Sequence, residues 1–359
     1  MTSLQSRHGG EIFHFAESIR DSMLDFSINI NPLGLSPVGK SHMLTHLETD
    51  ILRYPDTECK DLLNALSLRY QIDSSCILVG NGATELMYAL LPVIQPKKVL
   101  IPAPSFSEYR FSAEAYGTPI EELPLEVNQQ FQIPIEIWRG KIEQNSLVYV
   151  GNPNNPDGHI LLPYEFETLL QRVNETNSYL VIDESFVDFL GDAYSYRQAC
   201  KKNSHLIIIS SLTKFFAVPG LRVGYVIASS ELIKNVRKLM IPWHVNGPVQ
   251  RYMVSALADR TYIENSIKFC IKERRRLTQE LSKIENIKVY PGSVNFILCQ
   301  IQNKYKTAKE LQDKLDDYHI IIRQCGNYKG LDETYFRVAV RNTSENNQLI
   351  DALRKVCNK

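Results

Sequence analysis

Short β-branched runs recur along the first two thirds of the chain, each followed at once by a polar or glycine-rich stretch. The run at 76–80 (CILVG) precedes NGATE, 99–101 precedes PAPSFSEYR, and 147–150 (LVYV) precedes GNPNNPDG. The run at 180–182 (LVI) leads into DESF and 206–209 (LIII) into SSLTK, while 222–228 (RVGYVIA) reads as one more strand. Between these runs apolar residues fall at helical spacing, as at Phe166, Leu169, Leu170 and Val173. Strands alternating with helices predict an α/β fold, a mainly parallel buried sheet flanked by helices.

From residue 259 the texture changes. Ile271, Leu277, Leu281 and Ile284 lie close to helical spacing in a heavily charged stretch, 295–301 and 335–340 are strand-like, and Leu349, Leu353 and Val356 line one face of a closing helix. This predicts a smaller C-terminal α+β domain. The expected division is an N-terminal segment 1–35 packing on the small domain and the site, a large domain 36–258, and a small domain 259–359. The run KERRR at 272–276 reads as a solvated helix face.

Composition narrows the function classes. The 359 residues carry 40 basic and 40 acidic side chains, so no general pull toward nucleic acid or acidic membranes is expected. Hydrophobic residues at 44% and charged residues at 22% exclude disordered and coiled-coil readings. The seven cysteines are scattered, with no C-x-x-C pair, which argues for a reducing compartment and against a disulfide framework or a zinc site. No apolar signal core opens the chain and no run approaches the ~20 apolar residues of a membrane helix, so a cytoplasmic protein without a metal is expected.

In open α/β sheets ligands bind beyond the carboxyl ends of the strands, where these polar clusters should converge. GNGATE places two glycines before a helix, so the amides of Ala83 and Thr84 are either an anion cradle or part of a plain tight turn. Ser211 and Arg222 flank Lys214 and suit a phosphate clamp. Lys214, among Phe215, Phe216 and Ala217, is either a lysine reaching for the surface or a desolvated amine made nucleophilic by a lowered pKa. Asp183 emerges from a buried strand and needs a cation, in an ion pair or on a protonated ring nitrogen. Asn155 is either a turn former or a donor to an oxygen. His14, His42, His46, His159, His205, His244 and His319 read as surface or packing residues, without metal-ligand spacing.

Taken together and in this order, GNGATE, NPNNPDG, VIDESFVDF and SLTKFFAVPGLRVGY resemble the fold-type-I pyridoxal-phosphate (PLP) enzymes, in an aminotransferase-like pattern covering nearly the whole chain. Within them, two families have to be separated: histidinol-phosphate aminotransferases, and the L-threonine O-3-phosphate decarboxylases of cobalamin biosynthesis. RHGGEI, LDFSININPLG, PWHVN, IRQCGNYKGL and YFRVAVR resemble the decarboxylases, as does Phe186 where the aminotransferases typically carry a tyrosine. Asp157 departs from the commoner threonine.

The resemblance implies a PLP-dependent transferase fold and a carboxy-lyase acting on O-phospho-L-threonine. Its alternatives are histidinol-phosphate transamination or a preference for O-phospho-L-serine. It implies that Lys214 holds PLP covalently, that Asp183 pairs with the ring nitrogen, and that Asn155 bonds the ring hydroxyl oxygen. The cofactor phosphate falls to Ala83, Thr84, Ser211, Thr213 and Arg222, with Tyr54 reaching it from the neighbouring subunit of a homodimer. Tyr109, ahead of Phe106, is expected to stack on the ring. Substrate contacts are implied for His8, Gly9, Asn29, Asn155, Arg323 and Arg337.

Overall fold

The computed structural model describes residues 9–10, 12, 17–20, 22–302 and 307–357. Its strands are β1 (Leu24–Asp25), β2 (Ile77–Gly80), β3 (Lys98–Ala103), β4 (Ile120–Pro124), β5 (Ser146–Gly151), β6 (Tyr179–Asp183), β7 (Leu206–Ser211), β8 (Gly224–Ile227), β9 (Ile287–Tyr290), β10 (Phe296–Ile301), β11 (Ile320–Ile321), β12 (Arg323–Gln324) and β13 (Tyr335–Ala339). A seven-stranded sheet runs β2-β8-β7-β6-β5-β3-β4. From β7 to β4 every neighbour is parallel, and β8 lies antiparallel to both β7 and β2. The expected mainly parallel sheet is therefore present.

Central strands are mostly apolar and buried because helices cover both faces. Every residue of β5 and β7 is buried. Along β5, Val148 and Val150 join the core on one face while Leu147 and Tyr149 join the other, as the two-residue period requires. Each fully buried aliphatic side chain contributes about 1.5–3 kcal/mol relative to exposure. Helix Pro163–Glu175 opens on proline and buries Phe166, Leu169 and Val173 against this sheet.

Two differences from the sequence reading have local causes. The run at 222–228 becomes a strand only at Gly224, because Arg222 adopts φ 57° and leaves the sheet direction. Strand β4 (IEELP) escaped notice because it is a sheet edge, where charged residues are normal. Only Leu123 of its five residues is buried, and Lys98 Nζ sits 2.8 Å from Glu121.

A second sheet, β12-β13-β10-β9, is antiparallel and packs with helices Arg260–Leu281, Ala308–Leu315 and Thr343–Cys357. Leu349, Leu353 and Val356 are buried on the closing helix as read. The long helix serves both cores, since Tyr262, Ile263 and Cys270 pack with the large sheet and Leu277 and Leu281 with the small one. Core membership thus changes inside this helix, not at its first residue.

The KERRR reading needs correction. Glu273 is 2% exposed and accepts hydrogen bonds from Arg276 and Asn346, while Arg274 donates to the Gly292 carbonyl at 2.6 Å. Only Lys272 and Arg275 in the run are exposed. Near the N-terminus, β1 pairs in parallel with β11, Phe26 enters the small-sheet core, and the Asn31 amide donates to the Lys214 carbonyl at 3.0 Å.

Candidate active site

Strand register brings the polar clusters together. Gly151 pairs with Asp183, Asp183 with Ile209, and Ser211 with Gly224, which in turn pairs with Gly80. The antiparallel β8 starts where its parallel neighbours end, so Arg222 arrives at the same edge as Asn155, Asp183 and Lys214. A cavity of about 650 Å³ opens there. Its wall includes Ala83, Thr84, Tyr109, Asn155, Asp183 and Ser211, and also Thr213, Lys214 and Arg222. Gly9, Asn29, Arg323 and Arg337 close it from the N-terminal segment and the small sheet.

Of two further expected positions, one is not described and the other falls elsewhere. His8 lies outside the described residues. Tyr54 does not line this cavity; it is 81% exposed and rests against Trp243, ring centroids 4.6 Å apart. Asp157 stays behind the wall, buried, accepting from Asn154 and from the His159 amide.

One end of the cavity is shaped for a phosphate. Gly82, at φ 85°, precedes helix Ala83–Ile94 and provides no side-chain cap for its first N–H groups. A Cβ at Gly82 would lie 2.6 Å from Arg222 Nη2, so only glycine lets the guanidinium approach the helix start. Ser211 and Thr213 share a hydroxyl–hydroxyl bond of 2.7 Å beside it. Oriented amides, hydroxyls and a guanidinium are the donor set a phosphate dianion needs.

Lys214 and Asp183 occupy the middle. Burial, then repulsion from Arg222 and Arg337, pulls the Lys214 amine down to about 8, with Asp183 opposing. Burial pushes the Asp183 carboxyl up, opposed by donors from Ser185 and Tyr109 and by Lys214. Ser185 N donates to Oδ1 at 2.9 Å and the Tyr109 hydroxyl to Oδ2 at 2.8 Å. A buried carboxylate so held suits a protonated ring nitrogen, and a buried amine of lowered pKa suits an aldehyde. The residues therefore fit PLP. Because only the free amine attacks, uptake of PLP by the stripped protein should accelerate with pH up to about 8 and level off above it, followed as absorbance growth. A rate that is flat from pH 6 to 9 would contradict the buried-amine account.

Tyr109, expected ahead of Phe106 to stack on the cofactor ring, makes two close contacts within the protein. Its ring lies parallel to Tyr149 at 4.6 Å and its hydroxyl is committed to Asp183. Phe106 is half-buried on the wall and edge-on to Tyr109 at 5.8 Å. Tyr109→Phe would remove a charge-assisted bond of about 1.5–3 kcal/mol and leave the buried Asp183 carboxylate one donor short, so the cofactor-free protein should lose stability of that order in urea unfolding.

Sequence reasoning also missed Asn31. Its Nδ2 lies 2.8 Å from the Phe215 carbonyl, 3.0 Å from the Tyr262 hydroxyl and 2.8 Å from Ser266 Oγ. It ties the Lys214 turn to the long helix. The buried Asn29 Oδ1 and Arg337 Nε have no protein partner among the described residues, and both belong to side chains on the cavity wall.

Comparison with known proteins identifies the chain's relatives. The family described as aminotransferase class I and II matches residues 21–353. The chain is 34% identical to threonine-phosphate decarboxylase of Salmonella typhimurium, over 99% of this chain and 98% of that one. Among solved structures it resembles histidinol-phosphate aminotransferase from Clostridium acetobutylicum, with a TM-score of 0.86 and 34% identity over 94% of this chain and 99% of that one. It also resembles L-threonine-O-3-phosphate decarboxylase from Porphyromonas gingivalis, with a TM-score of 0.82 and 27% identity over 93% and 99%.

Proposed function

The chain belongs to the aminotransferase class I and II family, and from that membership we propose that it is a PLP-dependent carboxy-lyase. It converts O-phospho-L-threonine to (R)-1-aminopropan-2-yl phosphate and CO2. The Cα–carboxylate bond breaks and a proton takes its place at Cα. The product is placed in cobalamin assembly, as the sequence resemblance implies.

The observation that carries this reading is a cavity with two anion-binding ends around one buried amine. The end at Ala83, Thr84, Ser211, Thr213 and Arg222 would hold the cofactor phosphate. The end at Arg323 and Arg337 is left for a substrate bearing both phosphate and carboxylate. Arg337 is 5% exposed and Arg323 4% exposed, so both guanidiniums act where water screens little.

PLP, when bound, supplies an electron sink for the pair left at Cα. Asp183 would hold a proton on the ring nitrogen, and Lys214 Nζ would return a proton to Cα. Arg323 and Arg337, with Asn29, Gly9 and His8, would orient the substrate's two anionic groups so that the Cα–carboxylate bond, and not the Cα–H bond, is the one poised to break.

The protein is read as a homodimer in which Tyr54 serves the partner's site. Its exposure beside Trp243, Ile241 and Leu52, all exposed apolar residues, is consistent with a covered face. A monomer in sedimentation would remove that part. Location in the cytoplasm is likewise proposed from the cysteine usage.

The deciding experiment incubates the PLP-loaded protein with O-phospho-L-threonine and no 2-oxo acid. Stoichiometric CO2 and aminopropanol phosphate support decarboxylation. The resemblance to histidinol-phosphate aminotransferase makes transamination the second reading. Turnover of histidinol phosphate that requires 2-oxoglutarate, with no CO2 released, would establish it instead. Parallel assay of O-phospho-L-serine measures the value of one methyl group, about 1–3 kcal/mol at most.

A further inference from the structure

Tyr328 has no assigned part in the site, yet it stands on the cavity wall. It sits in the loop between β12 and β13, on the small sheet, and reaches Asn155, 173 residues away on the large one. Its hydroxyl donates to Asn155 Oδ1 at 3.3 Å, and the same oxygen accepts from Arg337 Nη1. The loop is turned by Tyr328 N to the Cys325 carbonyl at 3.0 Å and Leu331 N to the Tyr328 carbonyl at 3.0 Å. The Arg323 guanidinium lies 5.4 Å from the ring centroid.

An asparagine amide is nearly symmetric in shape, so its orientation is set by its partners. Here two donors from two different strands' surroundings converge on the oxygen. The nitrogen has no hydrogen-bond partner among the described residues. Phe186, also on the wall, packs edge-on against Phe296 at 5.0 Å and offers no donor. The direction of the Asn155 amide therefore matters more than it would beside another hydroxyl.

We infer that Tyr328 is a positioning residue that, with Arg337, holds the Asn155 oxygen on the small-sheet side, so that the Asn155 nitrogen donates to the cofactor's ring oxygen. One donor would leave the amide free to swing about a single bond; the second, from the small-sheet loop, removes that freedom. The inference rests on the PLP reading above. A donor at the ring oxygen favours the more electron-rich, deprotonated form of the Lys214–cofactor chromophore and lowers its titration midpoint.

The test titrates the visible absorbance of the PLP-loaded parent, Tyr328→Phe, Asn155→Ala and the double variant. Loss of one neutral hydrogen bond should raise the Tyr328→Phe midpoint by roughly half a unit to one unit. Asn155→Ala should raise it at least as far, and the double variant no further than Asn155→Ala alone. An unshifted Tyr328→Phe midpoint, or a shift that adds in full to that of Asn155→Ala, overturns the inference while leaving the cofactor reading intact. A parent that takes up no PLP and shows no titrating band overturns both.

Discussion

Lys214→Ala protein should remain folded, lack the visible band of the PLP-loaded parent, and release CO2 from O-phospho-L-threonine at least ~10²–10⁴-fold more slowly. Two roles are lost together, the covalent hold on the cofactor and the proton carried to Cα. Folding should survive because the buried amine is a burden. Its pKa is lowered from 10.5 to about 8 by burial and by Arg222 and Arg337. The folded state thus binds fewer protons than the unfolded one between those values. The resulting penalty is complete below about pH 8, shrinks as pH rises from there toward 10.5, and is gone above it. Without cofactor, the alanine variant should therefore melt no lower than the parent at pH 7, by circular dichroism. CO2 release at the parental rate would end the proposed chemistry. A variant that fails to fold would refute the account of the amine's energetics.

The second large effect belongs to Arg337. Its alanine variant should still take up PLP and display the visible band, but kcat/KM for O-phospho-L-threonine should fall on the order of 10²–10³-fold. Arg337 Nη2 donates to the Ser27 carbonyl at 2.9 Å and Nη1 to Asn155 Oδ1, with the ring of Phe296 5.3 Å from its guanidinium carbon. Burial pushes its pKa down from the ordinary arginine value. Truncation removes a buried cation and leaves two acceptors short of a donor, a loss water cannot make good at 5% exposure. Arg337→Lys should rescue only partly, because a single ammonium cannot fix direction in two places. An unchanged kcat/KM in Arg337→Ala would show that the substrate is not oriented from this side.

Much of the site was legible because strand ends and function coincide. A buried parallel strand announces itself by an uninterrupted β-branched run, and the residue that follows must emerge at the sheet edge. Asp183, Ser211 and Asn155 were readable for that reason. Gly82 was readable because a glycine before a helix marks a place where side chains are excluded. What stayed hidden were side chains whose partners are distant. Tyr109 lies 74 residues from Asp183, and Asn31 lies 184 from Phe215. Nothing in PSFSEYR states which aromatic turns its face to the cavity and which sends its hydroxyl to a carboxylate. Tyr328 stood inside a stretch whose likeness had been noticed, but a motif does not say what its tyrosine touches.

Sequence alone determined the strand–helix alternation, the order of the polar clusters and the residue types at each strand end, since these follow from local periodicity and burial. Tertiary structure decided the rest. Register set Gly80, Gly224 and Ser211 side by side, and the reversed direction of β8 delivered Arg222 to the edge its neighbours leave. Small-sheet packing brought Arg323, Tyr328 and Arg337 over the amine. Register and packing arise from contacts among residues far apart in the chain, and no local pattern encodes which distant face a side chain will meet.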